Sequence, residues 1–193
     1  IEDSYLSTII ALSAAVEARD SYTVGHMHHI SEYSTAIARV LGLGNEEISD
    51  IRIAGLLHDL GKIGIPDNIL LKPGKLDKTE YDIMKSHPTV GVRIIESIKS
   101  LKSSSVIIGS HQEQFNGEGY PKGLKGKDIP LGARIVAVAD AFDAMTTTRP
   151  NRKAMSYKEA FEEIKRYSGT QFDPEVVRCF TKVLKDRGLI AEE

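Results

Sequence analysis

Apolar residues recur at three- and four-residue intervals along most of this chain, the spacing of helices that bury one face. Leu6, Ile9, Ile10, Leu12 and Val16 mark a first stripe; Met27, Ile30, Ile37 and Leu41, followed by Gly42, mark a second. A third, Ile51, Ile53, Ala54, Leu56, Leu57 and Leu60, is closed by Gly61. The pattern predicts helices over 4–19, 24–41, 45–60, 78–97, 101–110, 131–147, 156–167 and 174–187. Start signals agree with it: Asn45 before Glu46-Glu47, Asp77 three residues before Glu80, Ser156 before Lys158-Glu159, and Asp173-Pro174. No alternating run of useful length competes, so the expected fold is all-α.

Two stretches interrupt the helices. Residues 61–75 carry Gly61, Gly64, Pro66, Pro73 and Gly74; residues 112–130 carry Gly117, Gly119, Pro121, Gly123, Gly126 and Pro130. Both are long for simple connections, and long ordered loops in compact domains are often functional.

Polar residues inside the greasy segments point to chemistry. His58 and Asp59 end the third stripe, where burial is costly unless something pairs with them. Asp140 lies inside the nearly continuous apolar segment 133–145, with Asp143 one helical step on along the same face. His26 stands where the second helical pattern begins, His87 precedes Pro88, where a helix is expected to end or to restart with the proline in its first turn, and His111 opens the glycine-rich loop. Imidazole nitrogen and carboxylate oxygen are both metal ligands, so a divalent ion would satisfy such a set. Taken singly, each histidine also has an ordinary reading as a hydrogen-bonded core or surface residue; His28 and His29 read as helix-surface residues. Spacing alone does not bring the set together.

Length and composition narrow the field. The 193 residues suit one domain with a short helical extension, and 41% hydrophobic content supports a sizeable core. A net charge of −2 gives no general attraction to a nucleic-acid polymer, so an anionic ligand must meet a local basic cluster. The single Cys179 excludes an internal disulfide and a cysteine-rich metal site, which suits a cytoplasmic setting. No apolar run approaches the roughly 20 residues of a membrane span. The chain begins without Met and reads as part of a longer protein, with residues 1–21 forming an N-terminal helix and 22–193 the main domain.

Seven segments occur in order: Gly25-His26, His58-Asp59-Leu60-Gly61-Lys62, Ile65-Pro66-Asp67, Lys72-Pro73-Gly74-Lys75-Leu76, His87-Pro88, Gly117-Glu118-Gly119-Tyr120-Pro121 and Asp140-Ala141-Phe142-Asp143-Ala144. Together they resemble the HD-GYP domain family, a branch of the HD phosphohydrolase superfamily, from about Tyr22 to Pro174. The resemblance implies an HD-type helical bundle with long functional loops, and a metal-dependent phosphodiesterase acting on the bacterial second messenger cyclic di-GMP, with pGpG or GMP as product. Some relatives act on cyclic GMP-AMP, and no residue here decides between the two. It further implies two divalent ions, iron or manganese. His26, His58 and Asp140 would complete the first, His87 and His111 the second, and Asp59 would bridge them.

Lys62 would steady the phosphate or assist the leaving oxygen, Tyr120 would meet a guanine or phosphate, and Arg149 and Arg152 would bind phosphate or the guanine edge; a solvated Lys62 capping the helix end is the alternative. Lys153 is a further neighbour of that segment, and Arg134 has a structural reading. Lys122, Lys125 and Lys127 read equally as an anion-attracting loop or a solvated cluster. By the same resemblance, an upstream sensory or receiver domain is the expected setting, with a plain N-terminal packing helix as the alternative; whether the chain forms a homodimer is left open by the sequence.

This chain departs from the family pattern at His111-Gln112, where most relatives carry two histidines that bind the second metal. An amide oxygen is the weaker ligand, so a loosely held second ion is expected, with Glu113 close enough in sequence to substitute. Tyr22 stands where some relatives place a Glu for a third metal, so no third ion is expected. The competing reading is a degenerate domain that binds a cyclic dinucleotide or a partner protein without turnover.

Overall fold

The computed structural model describes residues 2–19, 25–148 and 153–191, with side chains described from residue 6 onward in the first segment. Helices make up 67% of it, and among the described residues the only β feature is an isolated bridge between Ser168 and Phe172. The all-α expectation is met. Among the described residues, ten α-helices follow in order: α1 Glu2–Arg19, α2 His26–Val40, α3 Asn45–Leu57, α4 Asp67–Leu70, α5 Lys78–Met84, α6 His87–Ile95, α7 Lys102–Ile108, α8 Leu131–Thr146, α9 Tyr157–Arg166 and α10 Pro174–Asp186. A 3-10 turn, Leu60–Gly64, links α3 to α4.

The central packing sets α2 against α3, α8 and α10. Ile30, Ile37, Leu57, Ile135, Phe142 and Phe180 are fully buried there, each contributing roughly 1.5–3 kcal/mol of burial. Phe142 and Phe180 meet edge to face with ring centroids 4.9 Å apart, and Tyr33 meets Phe142 the same way at 5.3 Å. This core fixes α8, and with it the side chains that α8 sends toward the site.

Helix starts follow local chemistry. Asp77 accepts from the Glu80 N–H at 2.9 Å while Glu80 accepts from the Asp77 N–H at 2.8 Å, and Ser156 and Glu159 repeat that exchange. Asp173 caps α10, with Pro174 at its first position. At α3 the cap differs from expectation by one residue: Gly44 is the N-cap, and its N–H is taken by Glu47 at 3.0 Å.

Two helical segments depart from their periodic bounds, one by restarting at His87-Pro88 as the proline suggests and one by ending early, and both departures serve the site. The segment 78–97 divides into α5 and α6 at His87-Pro88, because Pro88 has no N–H for the helical ladder and fits only a first turn. The third helix stops at Leu57 instead of running to residue 60, so His58 and Asp59 occupy a turn. Gly61 explains the tight path that follows. A Cβ there would lie 1.9 Å from the His87 carbonyl oxygen and 2.5 Å from the Gly91 nitrogen, so only glycine lets this strip of backbone press against α6. Within the interrupted stretch 61–75, α4 and the 3-10 turn are too short for periodicity to reveal.

Candidate metal centre

The six metal-ligand candidates come from five separate places in the chain and gather in two adjoining sets, with His26, Asp59, His87 and Asp140 lining one cleft. His26 opens α2, His58 and Asp59 sit in the turn after α3, His87 opens α6, His111 lies just beyond α7, and Asp140 projects from α8. Ligand atoms of His26, His58 and Asp140 lie within 4.8 Å of one another, as do those of Asp59, His87 and His111. Asp59 stands between the sets: its Oδ2 is 3.3 Å from His58 Nε2, and its Oδ1 is 3.5 Å from His87 Nε2.

The imidazoles are aimed by their other nitrogens. His58 Nδ1 donates to the Gly55 carbonyl at 2.9 Å, His87 Nδ1 to Met84 at 2.9 Å, and His111 Nδ1 to Ile108 at 2.7 Å. Each bond reaches three residues back, which locks the ring and leaves Nε2 toward the cleft. His26 is oriented by a carboxylate: its Nδ1 lies 2.5 Å from Asp143 Oδ2, and its Nε2 lies 3.6 Å from Asp140 Oδ1. Asp143 also meets His29 Nδ1 at 2.9 Å. His29 is therefore an exposed residue with an anchoring contact, beyond its reading as plain helix surface.

A metal fits this donor set. Burial lowers His87, and burial together with the neighbouring histidines lowers His111 well below the usual imidazole range, so both rings are neutral. Their Nε2 atoms face each other at 3.3 Å; with both Nδ1 atoms donating, two lone pairs confront one another, which a shared cation relieves. His58 Nε2 is buried and makes no hydrogen bond. Burial alone would lower His58, but Asp59 and then Asp140 outweigh it and raise it to about 9. Asp59 shows the reciprocal balance: burial would raise it, yet Lys62 and His58 hold it well below the usual carboxylate range. The cluster demands positive charge at its centre.

The cleft has a volume of about 380 Å³, within the range of ligand sites. Asp59, Lys62, His87, Gln112, Tyr120 and Asp140 are among the residues that line it. Lys62 Nζ is 2.8 Å from Asp59 Oδ2, at the edge of both histidine sets. The Tyr120 ring is 6.3 Å from His87 and 6.5 Å from Tyr81, and burial raises its hydroxyl, which stays protonated.

Glu113 requires a correction. Its two carboxylate oxygens accept from the Lys122 N–H at 2.7 Å and the Leu124 N–H at 3.0 Å, so it clamps the glycine-rich loop and is unavailable to stand in for Gln112. Gly119 lies against it so closely that a Cβ would sit 2.4 Å from Glu113 Cα. Arg134 is structural, pairing with Asp173 and donating to the Ile129 carbonyl at 2.9 Å. Lys122, Lys125 and Lys127 are exposed. Tyr22, Arg149 and Arg152 lie outside the described residues.

Comparison with known proteins agrees with this arrangement. Residues 6–176 match the model of a family described as HD domain. A cyclic di-GMP phosphodiesterase of Thermotoga maritima is 43% identical over 96% of this chain and 51% of its own length. A 3'3'-cGAMP-specific phosphodiesterase of Vibrio cholerae is 36% identical over 100% of this chain and 42% of its own. The chain thus spans about half the length, or less, of these curated relatives. A crystal structure of a cyclic GMP-AMP specific phosphodiesterase of V. cholerae superposes with a TM-score of 0.75 over 95% of this chain and 49% of that one, at 22% identity. With the His58-Asp59 pair between two histidine sets and the Gly119-Tyr120-Pro121 loop over the same cleft, the chain belongs to the HD domain family, in its HD-GYP branch.

Proposed function

We propose that this chain is a metal-dependent phosphodiesterase that hydrolyses cyclic di-GMP to pGpG, GMP or both. The observation that carries the reading is Asp59, whose two oxygens face two separate histidine sets at the floor of one cleft. Phosphodiesters resist hydrolysis because the anionic phosphate repels attack and water is a poor nucleophile; two divalent ions would neutralise the phosphate and activate the water. In this assignment His26, His58 and Asp140 would hold one ion, His87 and His111 would hold the other, and Asp59 would serve both. Iron or manganese suits such mixed imidazole and carboxylate ligation.

The chain's own groups do the rest. Lys62 donates to a phosphate or leaving-group oxygen from its place beside Asp59. Tyr120, kept protonated, offers a ring face and a hydroxyl donor at the cleft wall. Arg149 and Arg152 are assigned to phosphate or guanine, for which a planar guanidinium fork is suited. A regulatory module upstream, a homodimer and a cytoplasmic site of action belong to the same proposal; no helix among the described residues is long and apolar enough to cross a membrane.

A substrate panel tests the reading. Metal-loaded protein should convert cyclic di-GMP, with 3'3'-cGAMP as the competing substrate, and should leave nucleoside monophosphates intact. Preference for a monophosphate would overturn the cyclic-dinucleotide assignment.

Gln112 favours one refinement. It borders the cleft next to His111 and offers only an amide where imidazole binds better. The second ion is therefore held more weakly than the first. Gln112→His should tighten that site by about tenfold, seen as higher second-site occupancy when metal is titrated into apo protein. Equal second-site affinities in the two proteins would mean that Gln112 does not limit the centre.

A further inference from the structure

Helix α1 touches the backbone beside three of the site residues. Ser13 Oγ donates to the Leu56 carbonyl at 2.9 Å, two residues before His58. Glu17 Oε1 accepts from the Met27 N–H at 2.9 Å, one residue after His26. At the end of the helix, Arg19 donates through NH2 to the Ile65 carbonyl at 2.8 Å and through NH1 to the Ile63 and Lys62 carbonyls at 3.3 and 3.4 Å. Its Nε also pairs with Asp67 Oδ1 at 2.8 Å. A void of only about 20 Å³ separates Val16 and Glu17 from His26, His58 and Asp59.

Arg19 is the strongest of these links, because one planar group gathers three carbonyls and a carboxylate from the turn that carries Lys62. That turn is the stretch pressed against α6 through Gly61 and followed by α4. The carbonyls of Lys62, Ile63 and Ile65 turn to Arg19 of α1, while the Lys62 ammonium reaches Asp59. A charged fork makes such bonds about twice as strong as neutral ones and fixes their direction. Lysine cannot reproduce that fork.

We infer that α1 buttresses the active site from behind and that Arg19 is a positioning residue, which holds the 62–65 backbone so that Lys62 is presented to Asp59. The catalytic part of this inference rests on the phosphodiesterase reading; the clamp itself does not. The test therefore has two arms, performed on the metal-loaded chain with Arg19→Ala, Arg19→Lys, Lys62→Ala and the Arg19→Ala/Lys62→Ala double variant.

In the first arm, amide hydrogen exchange is measured across residues 58–66. Both Arg19 variants should exchange faster there, Arg19→Ala by about tenfold, while α8 and α10 keep their protection. Arg19→Lys, which keeps the charge facing Asp67, serves if the alanine variant does not fold. Unchanged exchange at 58–66 would overturn the clamp whatever the activity. In the second arm, Arg19→Ala should lower kcat on cyclic di-GMP by about 10- to 100-fold with KM and bound metal unchanged, the scale expected when a reacting group is displaced by about 1 Å. Removing Arg19 in the Lys62→Ala background should then cost little more, since its effect acts through Lys62. Losses that multiply in the double variant would overturn the positioning role. A wild-type protein inactive on the dinucleotide would overturn the functional reading, and exchange alone would then decide for or against the clamp.

Discussion

Asp59→Asn is expected to abolish turnover of cyclic di-GMP while the helical content stays as in the wild type. The amide keeps the shape of the carboxylate and discards the charge that faces His58 on one side and His87 on the other. Losing even about 4 kcal/mol of charge stabilisation in the transition state corresponds to a fall on the order of 10³-fold. Tyr120→Ala should be far milder and should act mainly on KM, because its ring lines the wall of the cleft and is no part of either histidine set. The check is a steady-state comparison of the two variants, with metal content determined on the same samples. Wild-type activity in Asp59→Asn would remove the two-metal account.

The second large effect is expected at Asp143. This carboxylate is buried, and burial would raise it, but its hydrogen bond to His26, and the charges of His26 and His29, hold it below the usual range. By accepting from His26 Nδ1 it fixes the tautomer that turns Nε2 toward Asp140. Asp143→Asn weakens that acceptor and offers the ring an amide that can point its NH2 group the wrong way. Affinity for the ion at the His26 set should fall by about 10- to 100-fold, the usual loss when a ligand's outer partner is removed. Metal titration of apo protein reads it directly. An unchanged affinity would make Asp143 a packing residue of α8 with no influence on the centre.

The residues that carry this chemistry were legible where type and setting combine. His58 and Asp59 are conspicuous because they end an apolar stripe, and Asp140 because it interrupts one. Convergence was not legible from spacing, since the six candidates come from five places far apart in the chain and only tertiary packing brings them together. Asp143 had a signal, its position three residues after Asp140, yet its partner His26 is 117 residues away. Arg19 had none: a basic residue at the end of a helix has an ordinary role with the helix dipole, and nothing local reveals that it meets carbonyls more than 40 residues downstream.

Helix boundaries erred where the site overrides periodicity. The apolar stripe over 45–60 runs past the true end of α3, because the backbone turns early to bring Asp59 between the histidines and Gly61 against His87. The stripe over 78–97 also runs across the restart at α6, but there Pro88 is a local signal that periodicity lacks, and it marks the break. Glu113 was misread for a different reason. Proximity in sequence to His111 suggested a ligand, whereas its carboxylate is consumed by two loop N–H groups nine and eleven residues on.

A single anaerobic titration decides whether two ions beside Asp59 make this cleft a cyclic di-GMP hydrolase. Apo protein is loaded stepwise with Mn(II) or Fe(II), and bound metal per chain and product from cyclic di-GMP are measured on the same samples. The account predicts negligible hydrolysis with the first ion alone and a rise in activity that follows the second, weaker binding event. Full binding of both ions and of the dinucleotide, with no product formed, would contradict it.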